Sequence, residues 1–222
     1  MMSLSNVARA SRRAFLAAVA LSALAAFPAT AQTLVEGQHY TRIKNPQPVG
    51  SGKKIEVLEF FSYGCPHCRD LDPELVAWQK TIPADVEFRR VPVDYGREQW
   101  AVLAKAYYTL EALGVEEKLT PEVFVALHDR KTPLYQDKAF FDWAATKGLD
   151  RKKVEDAYNS FGVTSKFNRS RAIAKEYNVQ SVPLVIVDGK FQVSSDKVGS
   201  HAAMPAAINQ LITKARAERP KS

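Results

Sequence analysis

Cysteine is almost absent from this sequence, with Cys65 and Cys68 the only two in 222 residues. A structural zinc site needs four ligands and usually a second cysteine knuckle, which the chain lacks. Its remaining histidines outside that pair (His39, His128 and His201) have no ligand spacing, so no metal is expected. A purely structural disulfide is also disfavoured, because a loop this tight constrains the unfolded chain little. Beyond the N-terminus no apolar run reaches membrane-spanning length, and there is no internal repeat or low-complexity tract. Acidic residues are missing from positions 1–31, where Arg9, Arg12 and Arg13 carry three of the seven net positive charges. Taking those three from +7 leaves +4, too modest a charge to indicate nucleic-acid binding. Pairs such as Lys152 and Lys153 read as a solvated helix face.

What is present begins with export. The three arginines precede an apolar stretch at 14–27, and Ala29-Thr30-Ala31 forms a small-residue cleavage site. This is the pattern of a secretory signal peptide, with cleavage expected after about Ala31. Ser11-Arg12-Arg13-Ala14-Phe15-Leu16 also resembles a twin-arginine signal. An ordinary basic leader is preferred, since nothing suggests a cofactor loaded before export, and no cofactor is expected. Such leaders deliver proteins to an oxidising compartment, where thiol chemistry has a use. The remaining length suits one mid-sized globular unit, and 46% hydrophobic residues suffice for a core.

The chemistry lies in 57–70. An apolar strand, 55–61, ends at Gly64, and Cys65-Pro66-His67-Cys68 follows on the first turn of a helix marked by Leu71, Leu75 and Trp78. Two thiols at i and i+3 can close a small disulfide ring, the first facing solvent and the second covered. The unpaired N–H groups and positive end of a helix favour an anion there. Cys65 should therefore ionise more readily than a free thiol, and the thiolate is the attacking species. A protonatable His67 adds to that stabilisation, and Pro66 suits the first helical position. Each pKa unit by which Cys65 is lowered makes the disulfide more oxidising, which points to an oxidant. Glu59 stands out in the strand, because its neighbours Val57, Leu58, Phe60 and Phe61 are all apolar. Desolvation there favours the neutral carboxyl, and beneath the active-site helix it can exchange protons with Cys68. An edge-exposed or salt-bridged Glu59 is the alternative.

Glu-Phe-Phe-Ser-Tyr-Gly-Cys-Pro-His-Cys at 59–68, followed downstream by Ser181-Val182-Pro183, resembles the DsbA family of periplasmic thiol:disulfide oxidoreductases. The resemblance covers nearly all of the chain after the leader. It implies an α/β, thioredoxin-like fold with an inserted all-helical domain, in two halves (32–94 and 170–222) around the insertion (95–169). It further implies a cis Val182–Pro183 bond facing Cys65, with the Val182 backbone pairing with an extended substrate strand. Family members hold a buried acid at the Glu59 position, usually near a Lys of the next strand. Arg90 stands at the matching position here and departs from that pattern with a more permanent charge.

Along the chain, an edge segment is expected at 39–43 and a Pro- and Gly-bearing link at 45–52. Pro73 should kink or restart the active-site helix, and a strand follows at 86–93. Helical patterning begins at Tyr95. Trp100, Leu103, Ala104 and Tyr107 share a face, with Gly114 as the stop. Thr120-Pro121-Glu122 reads as the opening of another helix. Further helices are expected at 138–147 and 150–161, each ended by Gly, and at 165–177. The second half reads as strand, Asp188-Gly189 hairpin turn and strand, closed by an amphipathic helix at 200–217 carrying Ile208, Leu211 and Ile212.

The expected function is that of a monomeric, exported dithiol oxidase. It donates the Cys65–Cys68 disulfide to unfolded secreted proteins, and a membrane quinone-linked partner resembling DsbB reoxidises it. A reductase or isomerase is the alternative within the same chemistry. Isomerases of that compartment resemble V-shaped dimers with an N-terminal dimerisation domain, and the 23 residues at 32–54 are too few for one. A non-enzymatic holdase for exported chains is the alternative of a different class, separable because its activity would survive Cys65→Ser.

Overall fold

Strand β2 (Ile55–Phe61) is buried along its whole length and sets the frame for the rest. Its side chains alternate, so Ile55, Val57, Glu59 and Phe61 face one side and Leu58 and Phe60 the other. A computed structural model describes residues 33–219; the expected leader and its cleavage point after Ala31 lie outside the described residues. The described residues 34–219 belong to one compact unit.

Five strands form one sheet in the order β1-β5-β4-β2-β3, with β1 Thr41–Arg42, β3 Val86–Pro92, β4 Leu184–Val187 and β5 Phe191–Val193. β2 and β3 pair in parallel, joined by helix α1 (Pro66–Gln79), whereas β4 runs antiparallel to both β2 and β5. The β4–β5 turn has Asp188 and Gly189 both at positive φ (54° and 64°). The Lys190 N–H donates to the Val187 carbonyl at 3.0 Å, and Val187 pairs with Phe191, so that Lys190 is the extra residue of the loop. Only glycine fits at 189, because a Cβ there would lie 2.2 Å from the Gln47 carbonyl oxygen.

One face of the sheet packs on α1 and on α8 (Met204–Glu218) through Leu71, Leu75, Trp78, Ile208, Leu211 and Ile212. The other face packs on Tyr177, Val179 and the end of α6 (Phe161–Glu176). Between β3 and β4 the chain is helical: α2 (Glu98–Ala112), α3 (Glu116–Phe124), a π-helical turn (Val125–Asp129), α4 (Asp137–Thr146), α5 (Arg151–Tyr158) and α6. These helices share a core that also takes in Phe61, Tyr63, Cys65 and Cys68. The expected α/β class and strand–helix order hold.

Several expected boundaries shift. Thr120-Pro121 does not open a helix; α3 starts at Glu116 and Pro121 lies inside it. Gly114, at φ 68°, ends α2 so soon beforehand that the next helix begins at once, and Thr120 is buried and bonded to the Tyr63 hydroxyl instead of capping. Likewise Gly162 is no stop. The Ser160 hydroxyl accepts the Val163 N–H and caps α6, placing Gly162 in its first turn. Helix α6 runs across the expected junction between 169 and 170. Pro73 does not restart α1, which is continuous through it. The closing helix begins later than the expected 200, with α8 starting at Met204, and a short unexpected helix α7 (Ser195–Val198) precedes it, ended by Gly199 at φ 89°.

Candidate redox site

The site begins with a tight turn. The Cys65 N–H donates to the Ser62 carbonyl at 3.0 Å, and the Gly64 N–H donates to the Ser62 hydroxyl at 3.2 Å. Gly64 is required by contact: a Cβ there would lie 2.7 Å from the Trp100 indole nitrogen on α2. The turn is also held by the helical segment, where His128 Nε2 meets the Tyr63 carbonyl at 2.7 Å. That carbonyl can only accept, so Nε2 carries the proton.

Cys65 is the N-cap of α1, with extended backbone (φ −96°, ψ 118°), and Pro66 is the first helical residue. An N-cap side chain normally accepts from the N–H groups two and three residues ahead. Here those belong to His67 and Cys68; the neutral thiol makes no cap bond to them and donates to Val182 instead, but both N–H groups favour the anion and lower the Cys65 pKa. The Cys68 thiol hydrogen bond is the largest cause, opposed by partial burial, and the His67 charge adds a further small lowering. Together they bring Cys65 to about 6. Cys68 is fully covered and goes the other way. Burial first, then its hydrogen bond and charge repulsion with Cys65, push its thiol well above the usual range. Both cysteines are free thiols, so this is the dithiol form, and both are buried. Cys65, expected to face solvent, is only 7% exposed because the Val182 segment lies over it.

The Val182–Pro183 peptide is cis. It brings the Val182 carbonyl oxygen to 3.4 Å from Cys65 Sγ, which donates to it. Residues 117 positions apart thereby meet, with Pro66 and His67 exposed beside them.

Beneath Cys68 lies a buried charge cluster. Glu59, 2% exposed, accepts from Arg90 Nε at 2.9 Å, across the parallel β2–β3 register that pairs the two residues. Arg90 Nη2 donates to Asp72 Oδ1 on α1 at 2.7 Å. Glu59 is thus both buried and ion-paired, with Arg90 as its partner. Desolvation raises it to about 7, partly offset by Arg90 and reinforced by Asp72. Burial raises Asp72 as well.

Three contributors escape a reading of the sequence. Asp72 lies four residues after Cys68, on the same helical face as Leu71 and Leu75; an acid inside an apolar period was the available signal. His128 gives no local signal. His201, far away in sequence, has its ring centroid 6.2 Å from that of His67.

Comparison with known proteins agrees with this geometry. The family described as DSBA-like thioredoxin domain matches residues 56–202. The chain is 43% identical over 157 residues to a thiol:disulfide interchange protein DsbA of Burkholderia cepacia, covering 70% of this chain and 74% of that protein. It is 35% identical over 205 residues to that of Pseudomonas aeruginosa, covering 92% and 97%. Among solved structures, Pseudomonas aeruginosa DsbA superposes with a TM-score of 0.79 at 35% identity, over 83% of this chain and 95% of the other. The oxidoreductase NmDsbA1 of Neisseria meningitidis gives 0.75 at 30% identity, over 83% and 95%. With a thiolate-stabilising helix cap, a covered second thiol and these relatives, the chain belongs to the DsbA family of thiol:disulfide oxidoreductases.

Proposed function

We propose that the protein acts in the periplasm as a dithiol oxidase, with Cys65 as the attacked sulfur and Cys68 as its covered partner. A substrate thiolate attacks Cys65 Sγ and the Cys65–Cys68 bond breaks. Cys68 leaves as a thiolate and takes up a proton, for which Glu59 (near 7) is the available donor and acceptor. A second substrate thiolate then attacks the substrate sulfur of the mixed disulfide and expels the Cys65 thiolate. The substrate loses two electrons and two protons; the Cys65–Cys68 pair gains both electrons. His67 steadies the Cys65 anion, and Val182 with Pro183 offers a backbone edge to an extended substrate strand. A membrane quinone-linked partner of the DsbB type takes the electrons onward. In this reading the protein works as a monomer on unfolded exported chains, after removal of residues 1–31, and 95–169 forms a helical insertion roofing the redox pair.

The observation that carries the proposal is the asymmetry of the two sulfurs. The cap geometry that lowers Cys65 and the burial that raises Cys68 make Cys65 the better leaving group in the second step. Trapping tests it directly. Incubated with a reduced cysteine peptide after activation of its single thiol, Cys68→Ala should accumulate a mixed disulfide through Cys65 that resists resolution. Cys65→Ala under the same conditions should give little adduct. Equal trapping by both variants would remove the assigned roles.

A further inference from the structure

We propose that His67, Asp70 and His201 form a binding site for a zinc-class divalent cation at the rim of the redox opening. One ligand atom from each side chain lies within 4.8 Å of the others. His67 and Asp70 are three residues apart on the first turns of α1, which puts them on one face. His201 comes from the segment before α8 and closes the third side. Tetrahedral ligands at about 2.0–2.1 Å from zinc lie about 3.4 Å from one another. The side chains therefore need to approach by about 1.4 Å at most, which side-chain rotation supplies because His67 and Asp70 are exposed and His201 half-buried.

Two neighbours hold the ligands in place. His201 Nδ1 lies 2.8 Å from the buried Ser195 hydroxyl, which leaves Nε2 to face the cation. A second hydrogen bond of this kind is what fixes the ring orientation of metal-bound histidines. Arg69 donates through Nε (3.0 Å) and Nη2 (2.8 Å) to Asp70, both to Oδ1, so the second carboxylate oxygen remains for a metal. Two imidazoles and one carboxylate select zinc and its neighbours over magnesium or calcium, and three protein ligands leave a fourth position open. Neither Asp70 nor His201 has a part in the thiol exchange described above. A cation held there draws His67 away from Cys65 and stands where a substrate strand enters, so occupancy slows disulfide transfer.

The test uses untagged, fully oxidised protein, in which neither cysteine offers a thiolate, in competition with a chromophoric chelator for Zn2+. One equivalent should bind. Asp70→Asn and His201→Gln should each weaken binding at least about tenfold, and Ser195→Ala should do so by about tenfold through loss of the orienting bond. Asp70 is exposed, so its variant keeps the fold even if His201→Gln does not. Binding of Zn2+ by Asp70→Asn and Ser195→Ala as tight as by the unaltered protein would overturn the site. So would binding confined to the reduced protein, which would assign the metal to the cysteines.

Discussion

At the scale of single residues, the protein places a sulfur where most helices place an oxygen. Ser, Thr, Asp or Asn at an N-cap satisfies the N–H groups of the first turn. A neutral thiol accepts hydrogen bonds poorly and a thiolate accepts them well, so the cap converts unsatisfied backbone donors into stabilisation of one ionisation state. His67 acts on the same atom through its charge, as a smaller contribution than the Cys68 hydrogen bond. Replacement of His67 by Gly should therefore raise the Cys65 pKa by up to about one unit, equivalent to about 30 mV toward a more reducing couple. Thiolate absorbance titration and equilibration with glutathione check the two quantities separately. An unchanged titration would take His67 out of the mechanism.

At the scale of elements, one guanidinium ties three of them together. Arg90 on β3 holds Glu59 on β2 and Asp72 on α1, with all three side chains no more than 8% exposed. Removing one member of such a cluster leaves buried charge uncompensated, at a cost of about 3–5 kcal/mol. Arg90→Met should show a loss of that size in urea unfolding at neutral pH. Without Arg90, Glu59 and Asp72 would have folded pKa values further above their unfolded ones. Stability from that source is present below the unfolded values and lost as pH rises, so the loss should shrink in acid. A cost under about 1 kcal/mol would mean that the carboxyls are neutral and the cluster is held by packing alone. This is also where sequence and structure part. The β2–turn–α1 unit and the Asp188-Gly189 hairpin were legible because each is specified by neighbours a few positions apart. The Glu59–Arg90 contact was legible only through the family resemblance, and the parallel β2–β3 register pairs the two residues. Asp72, His128 and His201 act through partners that only the folded chain brings near. The start of α3 differs from expectation for a related reason: Thr120 has a cap's chemistry, but its hydroxyl is taken by Tyr63, 57 residues away.

At the scale of the whole molecule, two opposing effects decide which redox form is more stable. Closing the ring from Cys65 to Cys68 removes unfolded-state entropy worth about 2 kcal/mol on the chain-entropy estimate. Opening it frees a thiolate whose pKa is about 6 in the folded protein, against about 8.5 for free cysteine. Because the folded value is depressed, the thiolate's contribution is complete above about pH 8.5 and disappears as pH falls through 6. Fully developed it is on the order of 3 kcal/mol, at least the size of the ring-closure term; in acid it vanishes, and the disulfide then dominates. The reduced protein should accordingly gain on the oxidised one by nearly 1.4 kcal/mol per pH unit midway between 6 and 8.5, overtaking it near neutral pH. Denaturant titrations of both forms across that range measure the difference directly. A difference that does not change with pH would mean that Cys65 carries no stabilised anion, and the tendency to give its disulfide away would then need another source.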